Sequence, residues 1–168
     1  MSSERIEKAI RFLEDHDIAY ERYDHPAVYT VEQVTELVRI DRGQRTKNLF
    51  VRDKKARNHV LIVVPHDIEV DLMELGRQTQ LGRLSFASER RLMTYLGVEP
   101  GSVTLMGVIN DEESVVDVIL DRRIWEADSV RCHPLENTST VILEADGLRR
   151  LFEATGHEPR IMEVPRAC

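Results

Sequence analysis

The chain has 168 residues, and 23 Lys and Arg against 30 Asp and Glu leave a formal net charge of −7. That length suits one domain, and 42% apolar with 32% charged residues is the balance of a globular chain that can bury a core. The acidic sum disfavours a protein that coats nucleic acid. No apolar run approaches the ~20 residues of a bilayer span, and Cys132 and Cys168 offer neither a disulfide framework nor a CxxC zinc site.

Ile6, Ile10 and Leu13 recur at helical spacing behind Ser2 and Ser3, which predicts a helix over residues 3–16. Nothing there resembles a signal peptide, and a cytoplasmic location is expected. Ile18–Tyr23 reads as a strand, broken by Asp24-His25-Pro26. Thr30 with Gln33 forms a capping-box signature for a helix carrying Val31, Val34 and Val38. Asn48–Arg52 and His59–Val64 flank a polar turn as a hairpin, and the second run is apolar enough for a central strand. Asp71 caps a helix with Glu74 three residues on, Leu84-Ser85-Phe86 is a short strand, and Ser88 caps a helix that Gly97 closes. Val103–Ile109 and Val115–Leu120 read as a second hairpin. Thr140–Leu143 is a strand, Asp146 starts a last helix closed by Gly156, and Ile161–Val164 is a final strand. Strands in hairpins as well as between helices predict an α+β fold with a mixed sheet. With no linker, repeat or low-complexity tract, residues 1–168 form one domain.

Three segments carry chemistry. Lys47 stands at the mouth of an apolar strand beside Asn48, where a cation can hold a phosphate or polarise a carbonyl. A lysine that merely solvates a strand edge fits the same pattern. His133, fixed by Pro134 with Asn137 and Thr138 close by, is placed to orient a polar group, or is a loop histidine stabilised locally. Gly101-Ser102-Val103-Thr104 through Gly107 suggests backbone close to a ligand, or a plain turn. His25, ahead of Pro26 and near Tyr29 and Thr30, is suited to line a pocket. No GxSxG, P-loop or GxGxxG occurs.

Taken in order, Lys47-Asn48-Leu49-Phe50, Asp53-Lys54-Lys55, Leu84–Ser88, Leu96–Val103, Gly107–Asp111 and His133–Asn137 resemble the free-standing prolyl-tRNA editing proteins. This YbaK/ProX-like family is related to the editing insertion of bacterial prolyl-tRNA synthetase. The resemblance implies a mixed, partly barrel-like sheet with helices outside. It also implies hydrolysis of the ester of mischarged tRNA, with alanyl-tRNA for proline as substrate. It places the role most needed for activity on Lys47. Asn48, Gly107 and His133 fall on positions that shape the pocket for the aminoacyl group and terminal adenosine, with His25, Tyr29 and Thr30 beside them. Mischarged tRNA and prolyl-tRNA synthetase are the implied partners, and neither a cofactor nor a metal is called for. Relatives often carry a proline and an aromatic where this chain has Leu105 and Met106, so the pocket floor is expected to differ. Another small aminoacyl-tRNA, such as the cysteinyl or seryl ester, is therefore an alternative cargo. A non-catalytic tRNA-binding module is an alternative from another class.

The chemistry of editing suits this set. A synthetase pocket for proline excludes the smaller alanine by only ~1–3 kcal/mol, and a second, smaller pocket can accept and remove it. The charge also divides unevenly. Between Arg39 and Arg57 eight basic residues face two acidic ones, a surplus of six, so the remainder of the chain carries −13. Arg45, Lys54 and Lys55 in this stretch are the expected tRNA contacts.

Overall fold

The computed structural model describes residues 3–27 and 40–167. The helix expected from Thr30 and Gln33, and the pocket positions Tyr29 and Thr30, lie outside the described residues. Helix α1 (Glu4–Asp15) starts where Ser3 Oγ accepts the Ile6 N–H, and it buries Ile6, Ala9, Ile10 and Leu13. Strand β1 (Tyr20–Asp24) follows. Strands β2 (Thr46–Asp53) and β3 (His59–Pro65) form the expected hairpin, antiparallel from Thr46 against Pro65 to Arg52 against His59. Every residue of β3 is buried. Helix α2 (Leu72–Gln78) has Asp71 as its cap, accepting the Glu74 N–H. Strand β4 (Leu84–Phe86) pairs with the end of β2. Helix α3 (Glu89–Leu96) is capped by Ser88 and closed by Gly97 at φ 65°.

The second expected hairpin does not form. Residues Leu105–Asn110 make a 3₁₀ helix whose start is fixed by Thr104 Oγ1, which accepts the Met106 N–H. Strand β5 (Val116–Asp121) then runs parallel to β3, and β8 (Arg160–Met162) runs parallel to β5. A short apolar run has no period that separates a strand from a buried helical turn. Here the local hydroxyl cap decides. Two further elements carry no sequence expectation: the single turn α4 (Arg122–Trp125) and strand β6 (Ser129–Cys132). Strand β7 (Ser139–Glu144) leads into α5 (Ala145–Thr155), which begins one residue before Asp146 and ends at Gly156.

The strands form two sheets, ordered β1-β7-β6 and β4-β2-β3-β5-β8. The second is mixed, as expected. A parallel bridge between Gln44 and Val130 joins the sheets, and among the described residues they do not close into a barrel. Their concave sides share one apolar cluster. Phe50, Leu61, Val63 and Leu120 enter it from the larger sheet, Val130, Val141 and Leu143 from the smaller, and α1 and α5 cover it. Val51, Val60, Ile62 and Val64 point the other way, into a second cluster with Leu75 of α2. Strand β3 is thus buried on both faces, which explains its unbroken apolar run.

Candidate active site

Alternation along the strands decides where each candidate points, because side chains on a pleated strand face opposite sides in turn. The β2 ladder is continuous, and Phe50 enters the inner cluster while Leu49 and Val51 face the outer one. Lys47 therefore shares the outer face with Leu49 and Val51. Asn48 turns inward with Phe50, and its Oδ1 is buried without a hydrogen-bond partner. Two adjacent residues of one motif sit on opposite faces of the sheet.

The smaller sheet continues the outer face. Val141 and Leu143 of β7 point inward, so Thr140 and Ile142 point outward; Ile142 packs there with Ile40 and Tyr23. On β6, Val130 and Cys132 point inward, which turns Arg131 and then His133 outward. The sheets are aligned where Gln44 bridges Val130 and where Thr46 Oγ1 donates to the Arg131 carbonyl at 2.7 Å. The neighbouring Arg45 acts on Arg131 across this junction. His133, Thr140 and His25 form a row across the outer face of the smaller sheet, and Lys47 lies on the same face of the larger one.

The histidines of that row are held by neutral partners. His25, only 8% exposed, lies 2.9 Å from the Pro26 carbonyl through Nδ1 and 2.9 Å from Thr140 Oγ1 through Nε2. A carbonyl can only accept, so Nδ1 carries the proton and Nε2 takes the threonine hydroxyl. His133 Nδ1 donates to the Ser139 carbonyl at 3.1 Å, which leaves Nε2 as an acceptor. Burial, with a smaller contribution from His25, holds the pKa of His133 below the ordinary imidazole value. Lys47 has no ion pair or hydrogen bond among the described residues. The site thus offers, on one face, an ammonium without an ion partner among the described residues and a neutral imidazole.

Beneath this row lies the support. Thr104 Oγ1 donates to the His133 carbonyl at 2.7 Å, and the Gly107 N–H bonds the Thr104 carbonyl at 3.0 Å. Gly107 itself is buried, and a Cβ there would lie 2.8 Å from Leu96 Cβ, so its bareness serves helix packing. Leu105 and Met106, expected at the pocket floor, are fully buried in the inner core. The basic stretch is also divided. Arg45 is half-buried near Lys47, but Lys54 and Lys55 are exposed at the far end of the hairpin. Six residues of strand separate Lys47 from Asp53, roughly 20 Å at ~3.3 Å per residue.

Two residues of the site carry no sequence signal of their role. Arg131 is 7% exposed; it donates from Nε to the Arg42 carbonyl at 3.0 Å and from Nη2 to the Ile40 carbonyl at 2.7 Å, while Nη1 has no partner. Burial and the neighbouring Arg45 lower its pKa. Leu135, 1% exposed, holds φ at 72° in the loop after His133. That conformation costs a branched side chain ~1–2 kcal/mol, and strain of this kind gathers at functional sites. The same loop borders an open cleft of about 560 Å³ lined by Arg22, Asp24, His25, Glu136 and Thr138. Among the described residues no group of three or more His, Cys, Asp or Glu could hold a metal ion.

Comparison with known proteins gives one consistent picture. Residues 25–151 match the aminoacyl-tRNA editing domain. The chain is 34% identical to the prolyl-tRNA editing protein ProX of Acetoanaerobium sticklandii, covering 98% of this chain and 100% of that one. It is 37% identical to the prolyl-tRNA synthetase associated domain-containing protein 1 of Danio rerio, covering 90% and 83%. In three dimensions it is similar to a solved candidate trans-editing enzyme for prolyl tRNA synthetase. The TM-score is 0.76 with 17% identity, covering 99% and 100% of the two chains, which bears on the fold alone.

Proposed function

The chain belongs to the aminoacyl-tRNA editing domain family, and from that premise we propose that it hydrolyses the ester of alanyl-tRNA for proline in trans. The observation that carries the proposal is the ammonium of Lys47, without an ion partner among the described residues and on the same outer face as neutral His133. An aminoacyl ester is already activated, so its hydrolysis needs positioning and charge stabilisation more than a strong nucleophile. Lys47 polarises the ester carbonyl and stabilises the oxyanion that forms as water attacks. His133 accepts a hydrogen bond from the substrate through Nε2, with the Ser139 carbonyl holding its tautomer. Thr140 and His25, bonded to each other, stand on the same face. Arg45 lies where the phosphates of the terminal nucleotides pass. The soluble substrate and its synthetase suit action in the cytoplasm, and prolyl-tRNA synthetase is the source of the mischarged tRNA. Among the described residues no helix is long and apolar enough to cross a membrane.

The test is a panel of tRNAs charged with alanine, cysteine, serine and proline, incubated with the protein and with Lys47→Ala. The expected outcome is selective loss of alanine, slowed about 10²–10³-fold in the variant, the usual loss when one oxyanion-stabilising group is removed. Selective loss of cysteine or serine would keep the reaction and change the cargo. Binding of charged tRNA with no ester loss would leave only the non-catalytic reading.

A further inference from the structure

Arg5, Arg22, Arg42, Arg77, Arg123 and Arg150 lie within ion-pair distance of a carboxylate. Arg11, Arg122, Arg160 and Arg166 are exposed without such a pair among the described residues, but they are scattered over separate elements. The end built by the β2–β3 turn, β4 and the start of α3 gathers its cations. Lys54, Lys55, Arg57, Arg83 and Arg90 are exposed, and among the described residues none has a side-chain ion pair or hydrogen bond. Two carboxylates stand among them, Glu89 exposed at the start of α3 and Asp53 in the turn. Asp53 Oδ1 accepts the Arg57 and Asn58 N–H groups at 2.8 and 3.1 Å, and Oδ2 accepts Asn58 Nδ2 at 2.8 Å. These bonds, led by that from Asn58, lower the pKa of Asp53 and keep it ionised within the turn. In the same edge strand stands Phe86, 63% exposed.

The pieces adjoin. Val51, Arg52 and Asp53 pair with Phe86, Ser85 and Leu84, and the Ala87 N–H bonds the Phe50 carbonyl. Arg91 Nη1 lies 2.9 Å from His59 Nε2, which ties α3 to the hairpin beside its turn. Five cations against these two carboxylates leave a surplus of three on the edge that carries the exposed phenyl ring, which repels a second copy of itself and attracts a polyanion. On a chain of net charge −7 it is a local exception.

We propose that this edge is a second docking surface for the tRNA, contacting the acceptor arm at a distance from the reacting ester. The proposal rests on the deacylase reading above. With the aminoacyl end at Lys47, the hairpin tip lies roughly 20 Å further along the RNA, at ~3.3 Å per strand residue. Phosphates of the arm meet Lys54, Lys55, Arg57, Arg83 and Arg90. Phe86 packs against sugars of the wide, shallow minor groove of A-form RNA. Such contacts add affinity without reading sequence.

The experiment uses the full chain and two paired variants, Lys54→Glu/Lys55→Glu and Arg83→Glu/Arg90→Glu, with folding checked by urea titration. Binding of uncharged tRNA is followed by fluorescence anisotropy against salt. Each variant is expected to weaken binding about tenfold or more at low salt, and to reduce the salt slope by about two. Deacylation adds a second readout. KM rises for full-length alanyl-tRNA, while hydrolysis of a short alanylated CCA oligonucleotide, which cannot reach the edge, stays at the wild-type rate. Unchanged affinity and salt slope in folded variants would overturn the proposal, and so would a wild-type dimer that Phe86→Ser converts to a monomer. If the wild type hydrolyses no charged tRNA, the deacylase reading fails, and the anisotropy arm still decides the surface.

Discussion

At the residue scale, the environment of His133 makes a pH prediction. Its pKa is lowered on folding, so between that value and ~6.5 the unfolded chain binds more protons than the folded one. Stability contributed by the neutral ring is therefore complete above pH ~6.5 and is lost as pH falls below it. His59 adds to the same window. Its ring is buried against Tyr95 at 4.2 Å between centroids, and burial followed by Arg91 lowers its pKa. Urea titrations at pH 7.5 and 5.5 should show lower stability at the acid pH, and His133→Gln should shrink the difference. A wild type equally stable at both pH values would contradict this account. The role proposed for Lys47 was partly legible at this scale, as a rare lysine at a strand mouth. The lack of an ion partner among the described residues was not, because a partner can come from anywhere in the fold.

At the element scale, the 3₁₀ helix shows how a local cap overrides pattern. The segment from Val103 to Ile109 has strand composition, yet Thr104 turns it and then reaches the His133 carbonyl. Gly107 lets that turn lie against α3. Gly107→Ala places a methyl 2.8 Å from Leu96 Cβ and should cost ~1–3 kcal/mol by overpacking. A shift of the urea midpoint measures this. Deacylation by the folded fraction should fall less than for Lys47→Ala, since the added methyl meets the core and not the substrate. The β2–β3 hairpin, by contrast, was legible throughout. Its turn is polar and its second strand is continuously apolar, and both are local properties.

At the scale of the whole molecule, buried polar pairs tie distant parts of the chain. Asp111 accepts the Val115 and Val116 N–H groups at 3.1 and 2.8 Å and lies 2.8 Å from His157 Nε2. This fastens the end of α5 to the start of β5. Asp111→Ala leaves two amides and an imidazole buried without their acceptor. It should cost about 3–5 kcal/mol, measured by urea unfolding, because a broken buried pair strands its partner. Asp121, at the end of β5, holds the segment after β8 in a similar way, accepting the Val164 N–H at 3.0 Å. Neither aspartate could be told from a surface carboxylate in the sequence, because their partners lie 46 and 43 positions away.

The sequence by itself determined the elements whose causes are local. Ser3, Asp71 and Ser88 cap helices three residues ahead, Gly97 and Gly156 close α3 and α5, and β3 is apolar from Val60 onward because both its faces are covered. It also carried an ordered set of motifs sufficient for the family. Only the tertiary structure decided that β5 pairs parallel with β3, that Lys47 and Asn48 face opposite sides, and that Lys54 and Lys55 stand far from Lys47. The physical reason is one of range. Caps and periodicity act within a few residues, whereas a strand's partner, the face a side chain takes and the absence of a counter-ion depend on segments brought together by closing the core.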